Sequence, residues 1–321
     1  MKRIFSILFL LCFLISCDKK SKVEAIVKDI PIELAVTRFD QAFFTAKPSE
    51  LPKLKSQFPA FFPKGVPDSV WTNKMQNPLW RELYDEVQKK YGNFEPQTKA
   101  IAAFLQHAKY YFPQTKTPKI TTLIYEMDFN TKTIFADSIV LIPLEMYLGK
   151  THRFYEFPDY QKQSLEPSQI LPDLAGSFAK TKIRLSQDKT LLSLMIQAGK
   201  ELYIKDLLLP EYSDADKINY TLDQINFCLE NESFMWAFFI EQNLLYSNDA
   251  KLANRFINPA PFSKFYLEID NETPGRIGTW LGWQIVKSYA RNNPGIKIQQ
   301  LLNSDAETIF TKSKYKPNKN S

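Results

Sequence analysis

Residues 188–210 read DKTLLSLMIQAGKELYIKDLLLP, and this stretch decides the fold class. Leu192, Met195, Ile196, Gly199, Leu202 and Tyr203 fall three and four residues apart, the spacing that places side chains on one face of an α-helix. Pro210 ends the run because its ring cannot fit, or donate, inside a helical ladder. Downstream, Thr221-x-x-Gln224 is a capping box that opens a helix through Cys228, Met235, Phe238 and Phe239. A further helix runs from about Gly278 through Leu281, Ile285, Val286 and Tyr289 to Asn293-Pro294-Gly295. Ser304-x-x-Glu307 is read as the cap of a last short helix, after which the chain from Lys312 is a basic, frayed tail.

Upstream the same period recurs. Asn77-Pro78 supplies an N-cap with proline at the first helical position, Leu79, Leu83 and Val87 follow at helical spacing, and Gly92 closes the segment. Thr98 is read as the cap of a helix carrying Ile101, Phe104, Leu105 and Ala108 and ending before Pro113. His107 lies at the edge of that stripe, where a hydrogen-bonded structural histidine is expected. The period changes between them: Lys119–Tyr125 and Thr133–Ile142 are rich in β-branched and aromatic residues and are separated by Asp128-Phe129-Asn130-Thr131, which predicts a strand pair. Helices around so little strand imply an α+β fold, a helix-dominated single domain with a small sheet, spanning residues 31–312.

Composition narrows the chemistry. The 321 residues carry 25 Phe, 15 Tyr and 5 Trp but only 9 Gly and 2 His. Histidine-rich zinc sites would have to recruit both His107 and His152. Leu148-Gly149-Lys150-Thr151 has the tail of a phosphate loop without its upstream glycine. A net charge of +6, part of it from Lys2 and Arg3, is too mild to imply nucleic acid. Lys2 and Arg3 precede an apolar run, Ile4–Ile15, too short to span a bilayer and suited to a secretory leader. The run meets Leu14-Ile15-Ser16-Cys17, which resembles the bacterial lipobox and implies a leader over residues 1–16 and a diacylglycerol-linked Cys17. Residues 17–30 then read as the lipidated cysteine and a polar, Lys-rich tether, and 313–321 as the basic C-terminal tail. With Cys12 removed and Cys17 acylated, Cys228 has no disulfide partner and reads as a buried small hydrophobe.

The densest segment, 254–286, reads NRFINPAPFSKFYLEIDNETPGRIGTWLGWQIV. Pro259, Pro261 and Pro274 stiffen it, Gly275, Gly278 and Gly282 allow close approach, and a rigid aromatic loop entering a helix is where a site is expected; tight helix packing through the small residues is the alternative. Trp280 and Trp283 share a helix face, as core residues by default or as a stacking platform for glycan. Carboxylates at Glu201, Glu230, Glu232, Asp270 and Glu272 are available for acid–base work, though surface and ion-pair roles are the ordinary ones. No Gly-x-Ser-x-Gly elbow is present.

Together with the lipobox, Arg38-Phe39-Asp40, Tyr110-Tyr111-Phe112-Pro113, Tyr147-Leu148-Gly149-Lys150, Met195-Ile196 with Gly199-Lys200, NPAPFSKFYL from Asn258 to Leu267, Asp270-Asn271-Glu272, Pro274-Gly275-Arg276, Gly282-Trp283-Gln284-Ile285-Val286 and Ser313-Lys314-Tyr315-Lys316-Pro317 resemble the gliding-motility lipoprotein GldB family of Bacteroidota over nearly the whole chain. The resemblance implies a cell-envelope lipoprotein needed for surface gliding and coupled to type IX protein secretion; it implies no activity. A more distant likeness, to predicted bacterial zinc proteases, implies a degenerate zincin-like peptidase fold. The helix that would carry His-Glu-x-x-His reads LMIQAGKELY from Leu194 to Tyr203, without histidine. The basic run after Cys17 favours a periplasm-facing protein and contact with anionic headgroups.

The resulting expectation is a non-catalytic envelope component that binds no cofactor, metal or nucleic acid. Its partners are the membrane, through acylated Cys17, and other gliding or secretion proteins, docked through Lys264, Arg276, Trp280 and Trp283. The rival is an envelope hydrolase acting on peptide or glycan through Glu201, Glu230 or Glu232.

Overall fold

The structure, a computed structural model, describes residues 22–318. Cys17 and the leader lie outside the described residues. Residues 22–28, within the stretch read as a tether, form helix α1, and Val27 is 1% exposed in the core. Strand β1 (Val36–Arg38) leads into five helices, α2 (Phe39–Thr45), α3 (Leu51–Gln57), α4 (Asp68–Gln76), α5 (Pro78–Tyr91) and α6 (Glu95–Tyr111). Strands β2 (Lys119–Leu123), β3 (Ile134–Ala136) and β4 (Ile139–Pro143) follow. Helices α7 (Asp159–Lys162), α8 (Ile170–Lys182), α9 (Leu191–Leu208), α10 (Asp214–Ile218), α11 (Leu222–Glu230), α12 (Glu232–Glu241), α13 (Lys251–Phe256), α14 (Ile277–Asn292), α15 (Ile298–Asn303) and α16 (Ala306–Ser313) complete the described chain.

The sheet has order β1-β2-β4-β3, with β1, β2 and β4 parallel and β3 antiparallel to β4. The run 133–142 is therefore two strands, folded back through Asp137-Ser138 with Asp137 in the left-handed region at φ 46°. The expected turn at 128–131 is present, closed by Asn130 N–H donating to Asp128 Oδ1 at 2.9 Å. It does not join a hairpin, because β2 pairs with β4 in parallel, Ile120 opposite Val140. Strand β1 carried no sequence signal: three residues are too few to show a period.

Most expected helices are found, with altered ends. Asn77 caps α5 by accepting from Leu79 and Trp80 N–H, but Leu79 is 60% exposed, since the first turn projects beyond the core that Leu83, Tyr84, Val87 and Tyr91 enter. Helix α6 starts at Glu95, not at Thr98, whose hydroxyl instead donates to Phe94 O at 2.9 Å. Thr221 and Gln224 form their capping box, yet the helix they open breaks at Asn231, whose amide donates to Phe227 O and so competes with the ladder. Asp305, not Ser304, caps α16, accepting from Thr308 N–H at 2.7 Å. The expected frayed tail is docked through residue 318: Ser288 Oγ donates to Ser313 O at 2.9 Å, and Tyr315 OH donates to Glu232 Oε1 at 2.6 Å.

Helix α9 is the axis of the fold and is buried on nearly every side. It packs against α14, α8, α16 and α6. Gly199 and Gly282 meet where α9 and α14 cross. A methyl group on Gly199 would lie 2.3 Å from Gly282 O, and one on Gly282 would lie 1.9 Å from Met195 O. The two backbones touch, and dense interiors cannot absorb an added carbon there without moving a helix.

Gly282→Ala is accordingly expected to lower the unfolding free energy by about 3 kcal/mol. Gly295→Ala, where the added carbon meets open space, is expected to be neutral to within about 0.5 kcal/mol. Urea titrations of the two variants measure this, and equal midpoints would contradict the backbone contact.

Candidate functional site

The segment between α13 and α14 forms a fixed surface loop. Its base is tied inward: Ile277 N–H donates to Ser263 Oγ at 3.1 Å, Thr273 Oγ1 donates to Ser263 O at 2.9 Å, and Tyr220 OH donates to Gly275 O. Phe265 plugs a pocket of Phe238, Phe239 and Phe256, with ring centroids 4.9, 6.1 and 5.2 Å away. Asp270, on the short 3-10 turn Glu268–Glu272, accepts N–H from Phe265 and Tyr266 at 2.9 Å and from Leu267 at 3.3 Å. A carboxylate holding three consecutive amides fixes the tip as a whole.

At that tip Tyr266 sits in the left-handed region at φ 63° and is 72% exposed. A bulky non-glycine residue adopts this conformation only where its surroundings over-determine it. Here Asp270 holds its amide, and the Arg255 guanidinium stacks on its ring, 4.4 Å from the centroid, while Arg255 Nε donates to Lys264 O at 2.8 Å. Leu267 and Ile269 are exposed beside it, as is Lys264. On the adjoining α12, Phe234 is 74% exposed.

Of the four expected docking residues, only Lys264 presents a side chain to solvent on this loop. Trp280 is 2% exposed and Trp283 0%, because α14 turns inward to meet α9, so neither ring forms a stacking platform. Trp283 Nε1 donates to Asp206 Oδ2 at 2.7 Å. Arg276, in the left-handed region at φ 67°, donates to Ile218 O at 2.9 Å and ties α14 to α10. Sequence reading missed Tyr266 and Arg255 as surface features, although both stand in the segment it singled out. The signal was available in Lys264-Phe265-Tyr266-Leu267, where only one of two adjacent aromatic rings can point inward.

The proposed acid–base residues are occupied otherwise. Glu232 is 3% exposed and accepts from Tyr315 OH and from Asn318 N–H and Nδ2, holding the C-terminal segment. Glu201 lies 3.9 Å from Lys205 Nζ, and Asp270 holds the loop amides described above. Glu230 is exposed. Burial pushes the Cys228 thiol well above its ordinary range, the opposite of what a nucleophile needs. The histidines stand on separate elements: His107 makes its contacts to Ala103 O and Glu24, and His152 Nε2 is 3.6 Å from Glu86. Among the described residues no group of three or more His, Cys, Asp or Glu could hold a metal ion, and no helix is long and apolar enough to cross a membrane.

Two further charged groups lie at the carboxyl ends of the parallel strands. After β1, Asp40 is 1% exposed and takes both arms of the Arg38 guanidinium, at 3.0 and 2.7 Å, with Thr122 Oγ1 and Gln88 Nε2 completing its shell. After β4, Glu145 is fully buried. Its Oε1 accepts Tyr125 N–H at 2.9 Å, and its Oε2 has no partner among the described residues. Desolvation pushes this carboxyl up to about 7, only partly opposed by backbone amides and by Lys74, whose own ammonium lies 3.8 Å over the Trp80 ring. A lone carboxylate inside the apolar run Ile139–Tyr147 was the sequence signal for it.

The geometry defines a helix-built scaffold that carries one preorganised aromatic loop on its surface. A family model described as Gliding motility protein GldB matches residues 20–317, and the chain belongs to that family. No curated protein and no solved structure matches the chain.

Because Glu145 binds its proton more tightly folded than unfolded, it withdraws stability as pH rises from its unfolded value of 4.5 through about 7. Glu145→Gln, which keeps an acceptor for Tyr125 without the charge, is expected to be more stable than the parent by about 3 kcal/mol at alkaline pH. In acid, below the window, the two should be nearly equal. Denaturant titrations on either side of the window check the sign; a gap that widens in acid would contradict it.

Proposed function

We propose that this gliding-motility family member is a lipid-anchored, periplasm-facing envelope component, held at the membrane through Cys17, which acts by binding another protein of the gliding machinery and through it supports type IX secretion. The observation that carries the reading is Tyr266, an exposed aromatic residue fixed in a strained conformation by Asp270 and Arg255. An aromatic anchor whose conformation is set before binding loses little entropy on docking, which is how interface hot spots gain affinity. The fitting partner surface has an apolar pocket for Tyr266 and Leu267 and an acidic rim for Arg255 and Lys264. Binding is preferred to hydrolysis because Glu232 holds the C-terminal segment and Glu201 faces Lys205.

In gliding cells, Tyr266→Ala with Leu267→Ala is expected to leave protein levels normal while abolishing surface gliding. Tyr246→Ala, also exposed at 63% but on another element, and Glu201→Gln are both expected to glide normally. Normal gliding by the loop variant, or loss of gliding by Glu201→Gln at normal abundance, would reverse the preference.

A further inference from the structure

Apart from the docking loop, the molecule has an open cleft of about 210 Å³ between the α8–α9 connection and the α15–α16 connection. That is room for roughly seven water molecules, enough for one small polar group and too little for a sugar chain. Its lining has a surplus of hydrogen-bond donors. Arg184 is exposed at the cleft, and its guanidinium makes no hydrogen bond or ion pair among the described residues. Lys200 is 7% exposed; two of its three N–H bonds go to Leu302 O and Ser304 O, at 2.9 and 2.7 Å, and one is left over. Gln197 uses its carbonyl oxygen on Ser186 N–H at 3.4 Å, so its amide donors are unspent.

The carboxylate and the main-chain carbonyls nearest Lys200 are already engaged, which leaves the side-chain amides of Gln187 and Asn303, each both donor and acceptor, as the neutral part of the lining. Asp305, also in the lining, spends both oxygens on Thr308 as the cap of α16. Leu302 O and Ser304 O receive Lys200. A concave site with spare donors, a cation at its mouth and another in its wall selects a group that only accepts hydrogen bonds and carries negative charge. Leu185, 72% exposed, adds apolar surface beside the polar lining, which suits a short aliphatic side chain next to that charge.

We infer that the cleft binds the carboxylate of a peptide segment, gripped by Arg184 and Lys200, with the Gln197 amide donating to the adjacent peptide carbonyl. Burial lowers the Lys200 ammonium to about 8, and a bound carboxylate would raise it back toward the ordinary lysine range. The site is separate from the Tyr266 loop and stands or falls independently of it.

The test is a titration of the full chain, labelled with nitrogen-15, with N-acetyl-trialanine as the free acid, as its C-terminal amide, and with inorganic phosphate. The free acid is expected to shift the Gln197 side-chain amide and the Arg184 guanidinium signals saturably. Amidation of the peptide, or Arg184→Gln in the protein, is expected to weaken binding about tenfold or more. Arg184 is exposed and unpaired, so the variant keeps the fold, and an unchanged spectrum elsewhere verifies that. Equal titration by acid and amide, parent-like binding by Arg184→Gln, tighter binding of phosphate than of the peptide acid, or no saturable shift would each overturn the assignment.

Discussion

The contact between the α9 and α14 backbones at Gly199 and Gly282 is the constraint on which the rest of the structure depends. It brings Met195 O within a methyl radius of α14, so these two largely buried helices cross with no side chain between them. The C-terminal segment docks against both helices, and is tied to α14 through Ser288 and Ser313. The loop before α14 is held by the same helix: Gly275, Arg276 and Ile277 are its last residues before the helix or the first within it, and each makes a hydrogen bond to a neighbouring element or to Ser263. A mobile α14 would leave Tyr266 with no fixed platform. The surface loop is thus a consequence of the core crossing.

The lysines inside this helical core are tolerated because each has specific acceptors. Lys200 and Lys205 lie on the buried axis α9, and both direct their ammonium groups at backbone carbonyls, Leu302 and Ser304 for one and Lys217 for the other. Desolvation lowers both from the ordinary lysine range. Such contacts tie α9 to α10 and α15 at defined points, so they specify the arrangement of helices that apolar packing alone would leave less determined. Glu145 differs, since one oxygen of an ionisable carboxyl is unmatched, as are Trp71 Nε1, Gln97 Oε1 and Thr115 Oγ1 among the described residues. Unpartnered charge in a dry site costs stability whenever it is ionised.

Helix positions were legible from the sequence because their signal is periodic and local. The axis helix, the Asn77 cap and the Thr221–Gln224 box stand as read. The sheet was legible only in composition: parallel pairing of β2 with β4 is a long-range choice, and nothing in Lys119–Tyr125 encodes its partner. Helix ends failed where two capping residues were adjacent, as at Ser304 and Asp305, since either can satisfy a free amide and only geometry chooses. The segment 254–286 was singled out for its rigidity, which its internal hydrogen bonds supply, but its residues were sorted by type. Tryptophans, ordinarily strong binding anchors, were sent inward with the helix that Gly282 seats on α9, while Tyr266 was left outside by Phe265.

The central claim, that this family member works by docking through its fixed loop, is most directly tested by placing a photocrosslinking amino acid at position 266 in living, gliding cells and another at position 246 as control. The account predicts one defined envelope-protein adduct from position 266, absent from position 246 and lost when Asp270→Ala frees the loop. Adducts that are the same from both positions, or none from position 266 in cells that glide, would contradict it.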